Sequence, residues 1–240
     1  MSYQSVFKRY EIKFTLNSEQ KDRIMLAMQP YMQLDDYGRT TIRNIYFDTD
    51  TFRLIRRSIE KPTVYKEKLR LRSYRRAAPD TPVFIELKKK YKSVVYKRRL
   101  SMPEHQALDW LSGKQENTID TQISREIDYF VRFYETLKPR VFLSYEREAF
   151  YSKDGSDFRV TFDDNILFRQ EDITLESDIR GTPLLDEGKV LMEIKTSGGI
   201  PLWMTHLLSK EKIYKTSFSK YGTAYQKYIF PNLNGGNSHV

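Results

Sequence analysis

The sequence predicts an α+β domain, an eight-stranded antiparallel β-tunnel with flanking helices, and three observations carry that prediction. Eight segments are rich in β-branched and aromatic residues. The gaps between the central three are too short for a helical crossover, so these strands are antiparallel neighbours. In five segments charged side chains recur at every second position on one face, acid with base in four of them and four cations in the fifth.

The expected strands are Arg9–Leu16, Thr41–Phe47, Val64–Tyr74, Val83–Lys89, Val94–Ser101, Arg140–Tyr151, Phe158–Phe162 and Val190–Thr196. Helices are expected at Ser18–Met28, Pro103–Leu111, Ile123–Leu137, Pro201–Leu208 and Ser217–Phe230, with apolar residues recurring at helical spacing. Ser101 with Glu104 three residues on reads as a capping box. The stripe Phe218, Tyr221, Tyr225 and Ile229 reads as core packing. Residues 1–230 form one domain, and residues 231–240, with Asn234-Gly235-Gly236-Asn237, are expected to be a flexible tail.

Across the 240 residues, Lys plus Arg number 41 against 32 Asp plus Glu, for a formal charge of +9, so the preferred partner is an anion. With no cysteine there is no disulfide, thiolate zinc site or cysteine nucleophile. The opening residues lack a signal-peptide core, and no apolar run reaches membrane-spanning length, so a cytoplasmic location is expected.

Side chains two apart on a strand share a face. One face of Tyr65–Arg72 therefore carries Lys66, Lys68, Arg70 and Arg72. Likewise Glu11 pairs with Lys13, Glu86 with Lys88, Glu193 with Lys195 and Arg159 with Asp163, while Lys97 and Arg99 add a basic pair. For any one strand, a solvated sheet face explains this alternation well. Five such charged faces, four with acid and base interleaved and one with four cations, argue instead for a sheet that closes with its charged face inward. Arg and Lys would grip phosphate oxygens there, while Glu11, Glu86 and Glu193 supply hard oxygen ligands for Mg2+ or Mn2+. The register leaves Arg147 open, because both faces of its strand mix polar and apolar residues.

Glu11-Ile12-Lys13-Phe14, Tyr46-Phe47-Asp48, Lys68-Leu69-Arg70-Leu71-Arg72, Phe84-Ile85-Glu86-Leu87-Lys88, Arg159-Val160-Thr161-Phe162-Asp163, Glu193-Ile194-Lys195 and Ser217-Phe218-Ser219-Lys220-Tyr221 together, in this order, resemble the VTC domain. That domain is the polyphosphate polymerase module of the vacuolar transporter chaperone complex, within the triphosphate tunnel metalloenzymes. The resemblance implies phosphate-binding roles for Lys13, Arg70, Arg72, Lys88, Lys97, Arg147, Arg159 and Lys220, with Glu193 holding the metal. It places Lys220 at the end of the tunnel, where the residues alone read as a surface lysine on the last helix. It also implies ATP or another nucleoside triphosphate and polyphosphate as partners. The regulatory and membrane-spanning parts found with eukaryotic members are not in this sequence, so a separately encoded membrane partner is the route to any membrane association.

One departure bears on activity. Triphosphatases and adenylyl cyclases of this superfamily open on Glu-x-Glu-x-Lys, whereas Arg9 stands here in place of the first Glu. The expected function is therefore a metal-dependent polyphosphate polymerase. The alternatives are an inorganic or nucleoside triphosphatase, or a non-catalytic polyphosphate- or nucleotide-binding module. Phosphoryl transfer needs positioning and charge neutralisation more than a covalent nucleophile, so the missing Cys is no objection. The basic runs Arg75-Arg76 and Lys88-Lys89-Lys90 suit nucleic acid less well, because their alternate members already have inward places.

Overall fold

Each of the eight expected strands is present in the computed structural model, which describes residues 10–60, 64–92 and 94–235. They are β1 (Tyr10–Asn17), β3 (Thr40–Asp48), β4 (Tyr65–Tyr74), β5 (Pro82–Tyr91), β6 (Val94–Pro103), β7 (Lys138–Ser152), β8 (Arg159–Arg169) and β10 (Lys189–Thr196). Three short strands, β2 (Met32–Leu34), β9 (Thr182–Pro183) and β11 (Lys215–Thr216), raise the sheet to eleven. Segments of two or three residues show no alternation, which is why they escape a pattern-based reading. The main path runs β11-β1-β10-β8-β7-β3-β4-β5-β6, and among the described residues it is open, with β11 and β6 at its ends. The sheet is a curled trough, without the hydrogen-bonded closure of the expected tunnel.

The helices follow their caps. α1 (Ser18–Met28) starts from a capping box between Asn17 and Gln20. α2 (Arg53–Ile59) was not expected, because its N-cap is Phe52 in a left-handed conformation with no side-chain cap of its own. Its free amides are met from a distance by the carboxylate of Asp48, which accepts from Thr49, Leu54 and Ile55 N–H groups at 2.8, 2.9 and 3.0 Å. α3 (Glu104–Leu111) follows Pro103, and Ser101 stays in β6 opposite Phe84, so the expected Ser101 capping box is not made. α4 (Gln122–Phe133) is capped by Thr121 and stops four residues short of Leu137, where Tyr134 leaves helical geometry and Lys138 enters β7. α5 is Leu202–Lys210.

The last expected helix is divided. Lys215 and Thr216 pair with β1, so α6 (Lys220–Ala224) starts later, with Ser219 as its cap. A π-helical turn (Tyr225–Ile229) follows, then α7 (Phe230–Gly235). The tail expected from residue 231 thus begins inside a helix, and residues 236–240 lie outside the described ones.

Three apolar clusters organise these elements. One joins the outer faces of β3 to β5 to α3 and α4 through Leu69, Leu71, Ile85, Leu87, Trp110 and Phe130. A second joins the outer faces of β1, β8 and β10 to α1 and α5 through Phe14, Phe162, Met192, Ile194, Ile24 and Met204. The third lies inside the trough, where Tyr221, Tyr225 and Ile229 pack on Ile42, Leu143, Ile166 and Leu191, as expected for that aromatic stripe. A bulge makes this possible. Asn165, in a left-handed conformation, moves the inward positions of β8 from Arg159, Thr161 and Asp163 to Ile166 and Phe168. One stretch of the trough is therefore charged and the next is filled by a helical plug.

Asp48 ties the plug to the sheet, since it also accepts from the Tyr221 hydroxyl at 2.9 Å. Asp48→Ala strands several buried donors, and urea unfolding is expected to show a loss of about 3 kcal/mol with an unchanged m-value.

Candidate functional site: a cation-lined trough

The inward row is continuous in register. Lys13 faces Glu193, which faces Thr161; Arg147 faces Asp163; Asn44 faces Arg72 and Tyr46 faces Arg70; Arg70 faces Glu86, which faces Arg99; Lys68 faces Lys88, which faces Lys97. Curling brings distant strands together, and Lys88 Nζ on β5 lies 3.6 Å from Glu11 on β1.

Two buried carboxylates organise these cations. Glu86, 1% exposed, accepts from Arg70 Nε at 2.7 Å, Arg99 Nε at 2.8 Å and Lys97 Nζ at 2.8 Å, with Arg72 at 3.8 Å. Burial alone raises its pKa, but the four cations drive it far below the carboxylate range. Asp163 takes both arms of Arg147, at 2.6 and 2.7 Å, and the ammonium of Lys220 from α6. Its pKa too falls below the usual range, Arg147 and Lys220 outweighing desolvation. A bidentate pair of this kind fixes the guanidinium plane as well as its position.

Glu193 lies beside this second group, with Lys13 at 3.3 Å, Lys195 and Lys220 at 3.5 Å and Arg147 at 3.7 Å. Lys13 Nζ is also 3.3 Å from Glu11 and donates to the Phe218 carbonyl at 3.1 Å. Lys68 reaches Ser219 Oγ at 3.4 Å. Desolvation, with Lys88, Lys13 and Lys66 nearby, lowers its pKa to about 8. Tyr46 shifts the same way for a different reason. Arg70, Lys68 and Arg72 outweigh its burial and bring the phenol down to about 8. The Lys68 shift reports burial first and neighbouring cations second, while the Tyr46 shift reports the cations; on this surface they outnumber carboxylates by more than two to one, and the excess positive field favours anything negative.

The sequence model of the VTC domain matches residues 8–229. The chain belongs to the VTC domain family. No curated protein sequence matches it. Its fold is similar to that of a putative adenylate cyclase from Bacillus halodurans (14% identity, 94% of this chain and 99% of the other covered, TM-score 0.57). It is also similar to a putative adenylyl cyclase from Hippeastrum described as having a dominant triphosphatase activity (15% identity, 90% and 94% covered, TM-score 0.52). A putative adenylate cyclase from Vibrio parahaemolyticus aligns over 91% and 98% of the two chains at 10% identity and TM-score 0.52.

Within this VTC domain the structure gathers Lys13, Lys68, Arg70, Arg72, Lys88, Lys97, Arg147, Lys220, Glu11, Glu86 and Glu193 on one inner surface. Arg147, whose register the sequence leaves open, points inward with Tyr145. Arg159 shares the inward face but stands exposed opposite Lys195, at the start of β8. Glu86, expected among the metal ligands, meets four cations where it would need a second carboxylate, so it acts here as their counter-ion. Arg9, the position that departs from the triphosphatase opening, lies outside the described residues.

Several participants were not singled out as site residues. Asp163, Lys195 and Arg99 are legible on the alternating faces, and their weight comes from the partners the curl brings to them. Tyr46 stands in the sequence only as part of the Tyr46-Phe47-Asp48 motif and Tyr145 has no assigned role there, yet they receive hydrogen bonds from Arg70 and Arg72.

A polyanion binds best when Lys68 is charged and Tyr46 is neutral, so both groups weaken binding in the same direction as pH rises through about 8. Calorimetric titration with inorganic tripolyphosphate is expected to give a flat affinity from pH 6 to 7. A decline approaching about tenfold per pH unit for each coupled group is expected above pH 8.

Proposed function

We propose that this VTC domain is a metal-dependent polyphosphate polymerase that transfers the γ-phosphoryl group of ATP to a growing polyphosphate chain. The observation that carries the reading is the excess of inward Lys and Arg from β1, β4, β5, β6 and β7, completed by Lys220 from the plug. Family membership supports it. Such a field neutralises phosphoryl oxygens and holds two of them in line, which is most of what this transfer asks of a protein. A terminal oxygen of the acceptor chain attacks the γ-phosphorus, the bond to the β,γ-bridging oxygen breaks, and ADP leaves. The attacking oxygen is already ionised, so no general base is needed.

Among the described residues no three His, Asp or Glu side chains converge as a metal cage. Glu11 and Glu193 nevertheless already share one cation, the Lys13 ammonium, at 3.3 Å from each. Two carboxylates completed by substrate phosphates fit Mg2+ or Mn2+. Bound there, the ion would neutralise phosphate charge. The protein's own part is to orient the chain with Arg70, Arg72, Lys88 and Arg147 and to place Lys13 and Lys220 beside the carboxylates.

Triphosphate hydrolysis is the second reading, favoured by the activity described for the Hippeastrum protein of similar fold. A membrane protein as partner belongs to the same reading; among the described residues no helix is long and apolar enough to cross a membrane.

Incubation with ATP and Mn2+ or Mg2+, followed by gel separation of the products, tests the reading. A polyphosphate ladder with matching ADP is expected; free phosphate alone selects hydrolysis, and metal-sensitive binding without turnover selects a binding module. Glu193→Gln is expected to cut turnover by a factor on the order of 100 or more. It should leave tripolyphosphate affinity unchanged or tighter, because a competing carboxylate is gone. Full activity of that variant rules Glu193 out as metal ligand.

A further inference from the structure

α4 turns Ile127 and Phe130 to the sheet and carries a second pair of aromatics on the side away from it. Tyr129 and Phe133, one helical turn apart, are 67% and 50% exposed, and their rings stack at 6.0 Å. A single exposed aromatic needs no explanation, but two in register along a groove mark a contact surface. That groove has a volume of about 430 Å³ and is walled by the two rings with Arg125, Asp128 and Arg132.

The charges around the rings are unequal in sign. Arg53 of α2 stands over the Phe133 and Tyr134 rings at 5.8 and 5.4 Å, and Arg57 lies within electrostatic reach of Tyr134. Among the described residues the exposed side chains of Arg53, Arg57 and Arg132 have no acidic partner. The nearby acids are spent on internal donors: Asp128 accepts from Trp110 Nε1 at 2.6 Å, and Glu67 accepts from the Tyr65 hydroxyl and, at 2.6 Å, from that of Tyr134. The trough cations are gathered by Glu86 and Asp163, whereas these three arginines are left to solvent.

Arginine and aromatic side chains with few free acids make up the centre of protein interfaces. Here the cations flank a groove that runs along a helix and has room for one large side chain. That shape fits an amphipathic segment laid across it better than a flat lipid surface or a phosphate backbone.

We propose that the α2–α4 face docks an acidic, amphipathic segment of a partner protein. A leucine or aromatic side chain of that segment enters the groove beside Tyr129 and Phe133, and its carboxylates meet Arg53, Arg57 and Arg132. Because α4 packs on the outer faces of the sheet, this surface and the trough are occupied independently.

The test uses the whole chain, isotope-labelled, and a set of synthetic helical peptides with glutamates on one face and Leu, Phe or Trp at i and i+4 on the other. Peptides with lysine in place of glutamate serve as controls. An acidic peptide is expected to bind with micromolar affinity by fluorescence anisotropy, to move NMR signals of α2 and α4, and to stay bound when tripolyphosphate fills the trough. Tyr129→Ala with Phe133→Ala, and separately Arg53→Glu with Arg57→Glu, should each weaken the peptide roughly tenfold or more. Thermal melts and an unchanged tripolyphosphate affinity show that both variants keep their fold. The proposal is overturned if none of the acidic peptides binds, if the lysine peptides bind equally well, if tripolyphosphate displaces them, or if folded variants bind like wild type. Tighter binding of the same face to phosphatidylserine vesicles or to poly(U) overturns it as well, by assigning the surface to lipid or to nucleic acid.

Discussion

Everything about this inner surface follows from the repulsion among cations that a curled sheet forces onto one side. Ammonium and guanidinium groups taken out of bulk water repel strongly and lose hydration, and several such groups would open the trough if left alone. Glu86 and Asp163 counter this on either flank. Glu86 collects cations from β4 and β6, and Asp163 from β7 and α6, so each is both a local charge balance and a tie between elements. The balance is left deliberately short of neutral, and that deficit is the attraction a phosphate chain would meet.

The plug decides where the deficit is felt. Tyr221, Tyr225 and Ile229 fill one stretch of the trough with an ordinary apolar core, confining the charged stretch to the part beyond the bulge at Asn165. At the boundary the two halves are sewn together by polar contacts: Lys220 to Asp163, Lys68 to Ser219, Lys13 to the Phe218 carbonyl. Loss of stability in the plug would therefore reach the charged surface through hydrogen bonds as well as through packing.

The eight long strands and most of the inward side chains were legible because strand alternation has a period of two, and a mixed acid-base face stands out against Val, Ile and Leu. What could not be read is what depends on distance. α2 is hidden because its cap, Asp48, sits several residues upstream in a strand. Arg147 is ambiguous because both faces of β7 mix polar and apolar residues, and the bulge on neighbouring β8 shifts their shared register between Ser144 and Glu146. Asp163 reads as a face-mate of Arg159, and only the curl brings Arg147 and Lys220 to it. Tyr46 and Tyr145 carry no sequence signal for their place in the site, since nothing local tells which end of a phenol meets an arginine. The open edge between β6 and β11 is likewise invisible to periodicity, which reports faces and says nothing of closure.

The order in which this surface is assembled along the chain has a consequence for synthesis. β1 pairs with β10 and β11, and Ser219 and Lys220 arrive only with α6. Once β4 to β6 have been made, the cations around Glu86 can gather, but Arg147, Asp163, Lys220 and the plug are all still to come. Pairing between such remote segments is slow to form and sparse in early contacts. A nascent chain would thus present an unfilled basic groove to the polyanions around it until the last helix packs in, so maturation of the binding surface is a late event, set by chain connectivity.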